Sequence, residues 1–205
     1  MLRPPVEGFW GEVVTLAFDG EGRLDAALSI ARRVRDPVDS LGVEARARLL
    51  PSAGLSREGL ELALTQHLEA EASPADRARL SAWAVTSERC HVVLSANVAT
   101  GAFRAIVLGL VSAPHVFVKP SRREPELARL LVRELAPLLA SGSLTLVDSL
   151  EAQSSDQVHA YGSDATLAAI AAALPAGVRL RRHGSGFGVA LIDAEVDVGE
   201  AASAL

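Results

Sequence analysis

Lysine is almost missing from this chain. Of 205 residues, 20 are Lys or Arg, and nineteen of those are arginines; the one lysine, Lys119, lies in the stretch VFVKPSRREP from Val116 to Pro125. Where Arg is the default cation, a lone ammonium is a candidate for a task that needs a compact charge on a slim stem and not a planar fork. A chance survivor on a loop is the competing reading. Cysteine is equally scarce. Cys90 alone excludes an internal disulfide and a multi-cysteine metal site, so no zinc is expected and the chain suits a reducing compartment. Aromatic residues are only 4% of the total, which leaves Leu, Val and Ala to build the core. Positive charge is in deficit: the formal net charge of -5 argues against a nucleic-acid partner, because phosphate affinity rests on accumulated positive charge.

Long hydrophobic runs are missing too. No stretch approaches the roughly 18 apolar residues of a membrane span. The longest, AIVLGLVSAPHVFV from Ala105 to Val118, is interrupted by Ser112, Pro114 and His115, as expected of a buried helix that runs directly into a buried strand. Met1 is not followed by a basic segment and an apolar leader, and the expectation is a cytoplasmic protein with no membrane span. What is present is ordinary globular material, 49% hydrophobic and 22% charged, in an amount that fits one sizeable domain or one domain with a helical appendage.

Residues 24–86 read as successive helices: LDAALSIARRVRD, VDSLGVEARARLL, SREGLELALTQHLEAE and PADRARLSAWAV. Leu60, Leu64 and Leu68 recur on one face, Ser56 is placed to cap the third helix, and Ser73 followed by Pro74 opens the fourth. Ahead of these, GEVVTLAFDGEG reads as a short hairpin or edge strand with Asp19, Gly20 and Gly22 in its turn. From Cys90 the texture changes. HVVLSA, HVFVKP, LTLVDS, DQVHAY, VRLRRH and FGVALID read as strands, with helices AFRAIVLGLVS, PELARLLVRELAPLLA and SDATLAAIAAALP among them. Runs that are apolar throughout, HVFV and LTLV, are those of strands buried on both faces of a parallel sheet joined by right-handed crossovers. The expected fold is α/β: a doubly wound, mostly parallel Rossmann-like sheet over residues 88–195, in a dinucleotide-binding domain of residues 88–205 preceded by a helical segment of residues 1–87.

Ligands of open parallel sheets sit at the carboxyl ends of the strands. SANVATG, KPSRREP, YGSDA and HGSG all fall at such ends, and each combines small residues with a polar group, so that backbone N–H groups at helix starts can meet an anion. One such turn is ordinary; four in one sheet favour a nucleotide site. The first strand is not followed by GxGxxG, so the usual pyrophosphate loop is absent.

The ordered series Asn97, KPSRREP, YGS, HGSG resembles the cofactor-binding half of the aldehyde dehydrogenase superfamily. Within it, LPSAGLSREGLELAL from Leu50 to Leu64 and the block from His91 to Pro125 resemble the acyl-CoA reductase family typified by the fatty-acid reductase of bacterial bioluminescence. The likeness runs from about Leu50 to the C-terminus. It implies that Lys119, with Ser121, lies beside the adenosine ribose, where a slim cation can meet hydroxyls. It implies that position 122, commonly Glu in members that prefer NADH, reads the ribose; here Arg122 suits a 2'-phosphate, so the expected cofactor is NADPH, with NADH allowed. Arg122 and Arg123 as a solvated turn is the other reading. Asn97 matches an amide that stabilises the oxyanion of the thioester or hemiacetal, against an Asn that simply closes a turn. Gly162 and Ser163 match a turn at which the pyrophosphate or nicotinamide ribose approaches, with Ser163 also readable as a plain helix cap. Gly184, in HGSG, stands where the superfamily carries Glu-Leu-Gly-Gly. The Glu of that motif is replaced by His183, to which no catalytic role is assigned, and its loss fits reduction of an acyl thioester better than oxidation of an aldehyde.

Acyl-CoA reduction by this route needs a thiolate. Cys90 precedes a buried strand and reads as a small hydrophobe, and EVDVGEAASAL ends where the family would begin the helix that leads to its catalytic domain. The expectation is the cofactor-binding portion of an NADPH-dependent enzyme that reduces a fatty acyl-CoA to the aldehyde, with the nucleophile in a further domain; association into a homo-oligomer is left open. The alternative is a freestanding nucleotide-binding or interaction module without catalysis.

Overall fold

A computed structural model of the chain describes residues 19–81, 87–96, 98, 100–184, 197 and 199. The expected strand FGVALID and the oxyanion candidate Asn97 lie outside the described residues, as do residues 11–18 of the expected hairpin. Asp19, Gly20 and Gly22 do not form a hairpin turn. Helix α1 (Gly20–Arg35) starts there, with the Asp19 side chain accepting from the Gly22 N–H at 2.8 Å. The D-G-E-G signal of a turn is overridden because Leu24, Ala27, Leu28, Ile30, Ala31 and Val34 form one buried stripe that only a helix can present.

Helix α2 (Ser40–Leu49) follows, capped by Asp39, and then α3 (Arg57–Leu62), capped by Ser56, whose hydroxyl accepts from the Gly59 N–H at 3.0 Å. The latter continues into a wider π turn, Ala63–His67. In α4 (Pro74–Ser81) Ser73 and Asp76 cap reciprocally: the Asp76 N–H donates to the Ser73 hydroxyl at 3.1 Å, and the Ser73 N–H to the Asp76 carboxylate at 3.2 Å.

The rest is a five-stranded, all-parallel sheet in the order β3-β2-β1-β4-β5, made of β1 (Arg89–Val93), β2 (His115–Lys119), β3 (Leu144–Leu146), β4 (Gln157–Tyr161) and β5 (Arg179–His183). Helices α5 (Gly101–Leu110), α6 (Glu126–Leu135) and α7 (Asp164–Ala173) connect β1 to β2, β2 to β3 and β4 to β5. This is the doubly wound, Rossmann-like arrangement expected. The chain builds outward from β1 through β2 to β3, then returns to the other side of β1, so the order reverses between β1 and β4.

One core cluster joins Cys90, Val92, Val116 and Val118 of the sheet to α5 and α6 and, beyond them, to α1 and α2. Leu110, Leu127, Leu131 and Leu135 are all below 2% exposed, and each such side chain contributes ~1.5–3 kcal/mol by leaving water. A Cβ on Gly109 would stand 2.8 Å from Val92 and 3.0 Å from Val116, so the absence of a side chain there is what lets α5 lie down on the sheet. On the opposite face α7 packs with Val93, Val158, Ala160 and Leu167 in a smaller cluster. The run LTLV is not buried on both faces: β3 is an edge strand, and only Leu144 is buried while Thr145 and Leu146 are exposed.

A side chain ties the leading helix to this frame. The half-buried Arg23 guanidinium donates to the carbonyls of Ala113 at 2.9 Å and Pro114 at 2.8 Å, and to the Ser143 hydroxyl at 2.9 Å. It thereby holds α1 to the turns that enter β2 and β3.

Candidate functional site

The carboxyl ends of the strands lie level. Register pairs Val93 with both Lys119 and Ala160, and Tyr161 with His183, so the loops after β1, β2, β4 and β5 open on one edge of the sheet. Two cavities lie along it.

The first is a pocket of about 400 Å³ at the reversal of strand order, the crevice in which this class of sheet binds ligands. Its walls come from the end of β1 (Leu94, Ser95), the first turn of α5 (Gly101 to Arg104), the end of β4 (Tyr161, Gly162) and the end of β5 (His183, Gly184), with His67 and Glu69 from the helical lead-in at its side. Tyr161 and His183 stack almost parallel, 4.1 Å between ring centroids and 6° between planes. The Tyr161 hydroxyl and the His183 Nε2 are both shielded from solvent without a hydrogen-bond partner among the described residues. Buried polar atoms normally find one, and two orphans side by side in a pocket wall mark where a ligand's polar groups would be met. Burial pushes the Tyr161 phenol up and the His183 imidazole down, the latter helped by Arg181. Both rings are therefore neutral near pH 7. At the rim the Arg104 guanidinium pairs with the Glu69 carboxylate, which joins the lead-in to α5.

The stack continues inward. His159, 0% exposed, has its ring centroid 5.5 Å from that of His183 and an Nε2 contact with the Gln157 amide. Burial, then His183 and Arg181, push its imidazole down to about 4. Beside it Gln157 donates to the Ser112 hydroxyl at 3.2 Å and approaches the Cys90 sulfur at 3.9 Å. Cys90 is 0% exposed and burial pushes its thiol up to about 11, so it is a protonated core residue, as its place ahead of a buried strand predicts.

The second cavity is a cleft of about 500 Å³ above β2 and β3, lined by Lys119, Pro120, Ser121, Arg122, Pro125, Arg129, Val147 and Asp148. Lys119 closes β2, half-buried; Arg122 is exposed. Neither head group has an ion-pair or hydrogen-bond partner among the described residues. The Ser121 hydroxyl accepts from the Arg123 N–H at 3.2 Å, which sets the turn that presents Arg122.

Of the sequence candidates, Lys119, Ser121 and Arg122 thus share the cleft, and Gly162 and Gly184 share the pocket. Ser163 lines neither; it caps α7, accepting from the Thr166 N–H at 3.3 Å. A Cβ on Gly184 would stand 2.8 Å from the Asp164 carboxylate, so this glycine also lets the end of β5 approach α7. Four contributors were missed. Tyr161 sits inside the quoted YGS, but its pairing with His183 needs the β4–β5 register. Arg104, Arg129 and Asp148 carried no motif, although Asp148 follows a strand end and the carboxyl-end rule could have found it. Asp148 puts a carboxylate in the same cleft as Lys119 and Arg122.

Among the described residues no helix is long and apolar enough to cross a membrane. Set beside known proteins, residues 49–205 match a family model described as Acyl-CoA reductase (LuxC). No curated protein matches the chain significantly.

Proposed function

The chain belongs to the acyl-CoA reductase (LuxC) family, and from that membership we propose that it is the portion of such an enzyme that binds NADPH, for reduction of a fatty acyl-CoA to the aldehyde. The observation that carries this reading is the pair of cavities on one sheet edge: a cleft with two cations and, across the reversal of strand order, a pocket with two polar side-chain atoms, none of them partnered among the described residues. These suit the two ends of a dinucleotide. Lys119 meets the adenosine ribose, Arg122 its 2'-phosphate, and the Tyr161 hydroxyl and His183 Nε2 meet polar groups at the nicotinamide end, where Gly162 and Gly184 let backbone come close. Bound there, the reduced nicotinamide supplies a hydride.

The acyl-accepting thiolate comes from outside residues 1–205. The chain has one cysteine, and Cys90 is buried in the core on β1 with its thiol held protonated. In this reading Tyr161 and His183 line the nicotinamide end of the site.

Asp148 bears on the choice of cofactor. A carboxylate in the cleft favours ribose hydroxyls over phosphate, but it is exposed, and two charges 4 Å apart in water interact by only ~1 kcal/mol. A guanidinium–phosphate contact is charge-assisted and often bidentate, worth ~1.5–3 kcal/mol. Arg122 therefore outweighs Asp148, and NADPH is the better ligand. Titration of the chain with both cofactors checks this. NADPH is expected to bind about tenfold or more tightly than NADH, and Arg122→Glu to reverse the order with an unchanged melting temperature. Equal affinities in the wild type would remove the assignment of Arg122.

A further inference from the structure

The start of α6 is closed to ligands. The Glu124 carboxylate, 7% exposed, accepts from the N–H groups of Glu126 at 2.9 Å and Leu127 at 3.4 Å. These are the donors that a helix opening after a parallel strand would otherwise offer an anion. An anion held in the cleft above β2 must therefore be held by side chains, and the cleft has three cationic ones, Lys119, Arg122 and Arg129, against one carboxylate, Asp148.

Arg129 is the least committed of the helix arginines on that side. Its side chain is 56% exposed, and its partner is Glu126, 3.1 Å away on the preceding turn. Such an exposed pair is worth well under ~1 kcal/mol. The Glu126 carboxylate also meets Arg48 at 3.3 Å, so it keeps a counter-charge when Arg129 leaves. Lys119 and Arg122 come from the strand end and the turn, Arg129 from the first turn of α6, so the cleft draws its cations from separate elements.

We propose that Arg129 exchanges Glu126 for a phosphate monoester on the ribose of an adenine nucleotide, and that Arg122 and Arg129, which line the same cleft, grip this group together. The inference rests on the cofactor-binding reading and adds to it a residue and a ligand class. Two compounds of the reaction carry the group: NADPH on the 2' oxygen and coenzyme A on the 3' oxygen. The cleft recognises what they share.

The test uses the whole chain and three probes: adenosine 2',5'-bisphosphate, adenosine 3',5'-bisphosphate and adenosine 5'-monophosphate. Affinities are measured by calorimetric titration for the wild type, Arg129→Gln and Arg129→Lys, with melting curves alongside. Arg129→Gln is expected to weaken at least one bisphosphate about tenfold, leave the monophosphate within about twofold, and leave the melting temperature unchanged; Arg129→Lys keeps part of the loss from appearing. Loss on the 2',5' compound alone assigns the grip to NADPH, loss on the 3',5' compound alone assigns it to coenzyme A, and loss on both means the two compete for one cleft. Wild-type preference for a bisphosphate with no change in Arg129→Gln overturns the role of Arg129 and leaves the cofactor reading standing. A wild type that binds none of the three probes overturns both.

Discussion

The pocket and the cleft share one sheet edge and differ in almost every physical respect. The pocket is built of stacked rings backed by buried polar side chains, His159 and Gln157, whose atoms have left water. The cleft is a rim of charged heads, with Lys119 half-buried and Arg122, Arg129 and Asp148 exposed. The difference separates two jobs. Recognition by solvated charge is adjustable and salt-sensitive, and exchanging one of its residues leaves the fold alone. Orientation by half-buried, neutral rings backed by the buried His159 is fixed by the same packing that holds the sheet together, so the pocket couples binding to stability.

If that division is right, acid should damage the pocket side first. The His159 imidazole is held down at about 4 from an ordinary 6.5, so the unfolded chain takes up its proton before the folded one. Its contribution is complete above pH 6.5 and is lost as pH falls toward 4. The drop corresponds to roughly 3 kcal/mol, and the lowered imidazoles of His91 and His183 act in the same direction. Urea unfolding between pH 7 and pH 4.5 should show this slope, and His159→Gln should flatten it. An equal slope in the variant would detach acid sensitivity from the pocket.

A smaller effect tests the orphaned hydroxyl. Tyr161→Phe removes a buried oxygen with no partner and is expected to stabilise the free protein by ~1 kcal/mol, while the rise in melting temperature on adding NADPH shrinks. Destabilisation of the free protein would mean that the hydroxyl is already satisfied. No variant of Arg122 should behave this way, because its head group is in water.

The smallest effect is expected at Cys90. Cys90→Ala should change stability by no more than ~1 kcal/mol and leave cofactor affinity unchanged, and neither protein should oxidise NADPH when given an acyl-CoA. Turnover in the isolated chain that vanishes in Cys90→Ala would make Cys90 the nucleophile.

Sequence legibility followed the same division. Ser56 and Ser73 announced their helices because capping is local, and the β-branched runs around Val92 and Val116 announced strands, although β2 is fully buried on one face only, at Val116 and Val118, and β1 carries the buried polar His91. LTLV misled because an apolar run does not say which neighbours a strand has, and the sheet ends at β3. Lys119, Ser121, Arg122, Gly162 and Gly184 could be found by the rule that ligands meet parallel strands at their carboxyl ends. The Tyr161–His183 stack could not, since it exists only once Tyr161 is in register with His183, and Arg129 could not, since its position in the cleft depends on how α6 lies against β3.

The clamp made by Arg23 has a consequence for synthesis. One of its partners, Ser143, follows it by 120 residues, which at roughly 5–20 residues per second is about 6–24 s of translation. The helices that pack on α1, among them α2, α5 and α6, are all made before Ser143, so the clamp closes on a helix whose apolar partners are already present. The first of the described helices is thus among the last to be tied to the turns of the sheet, and a nascent chain halted before Ser143 lacks that tie.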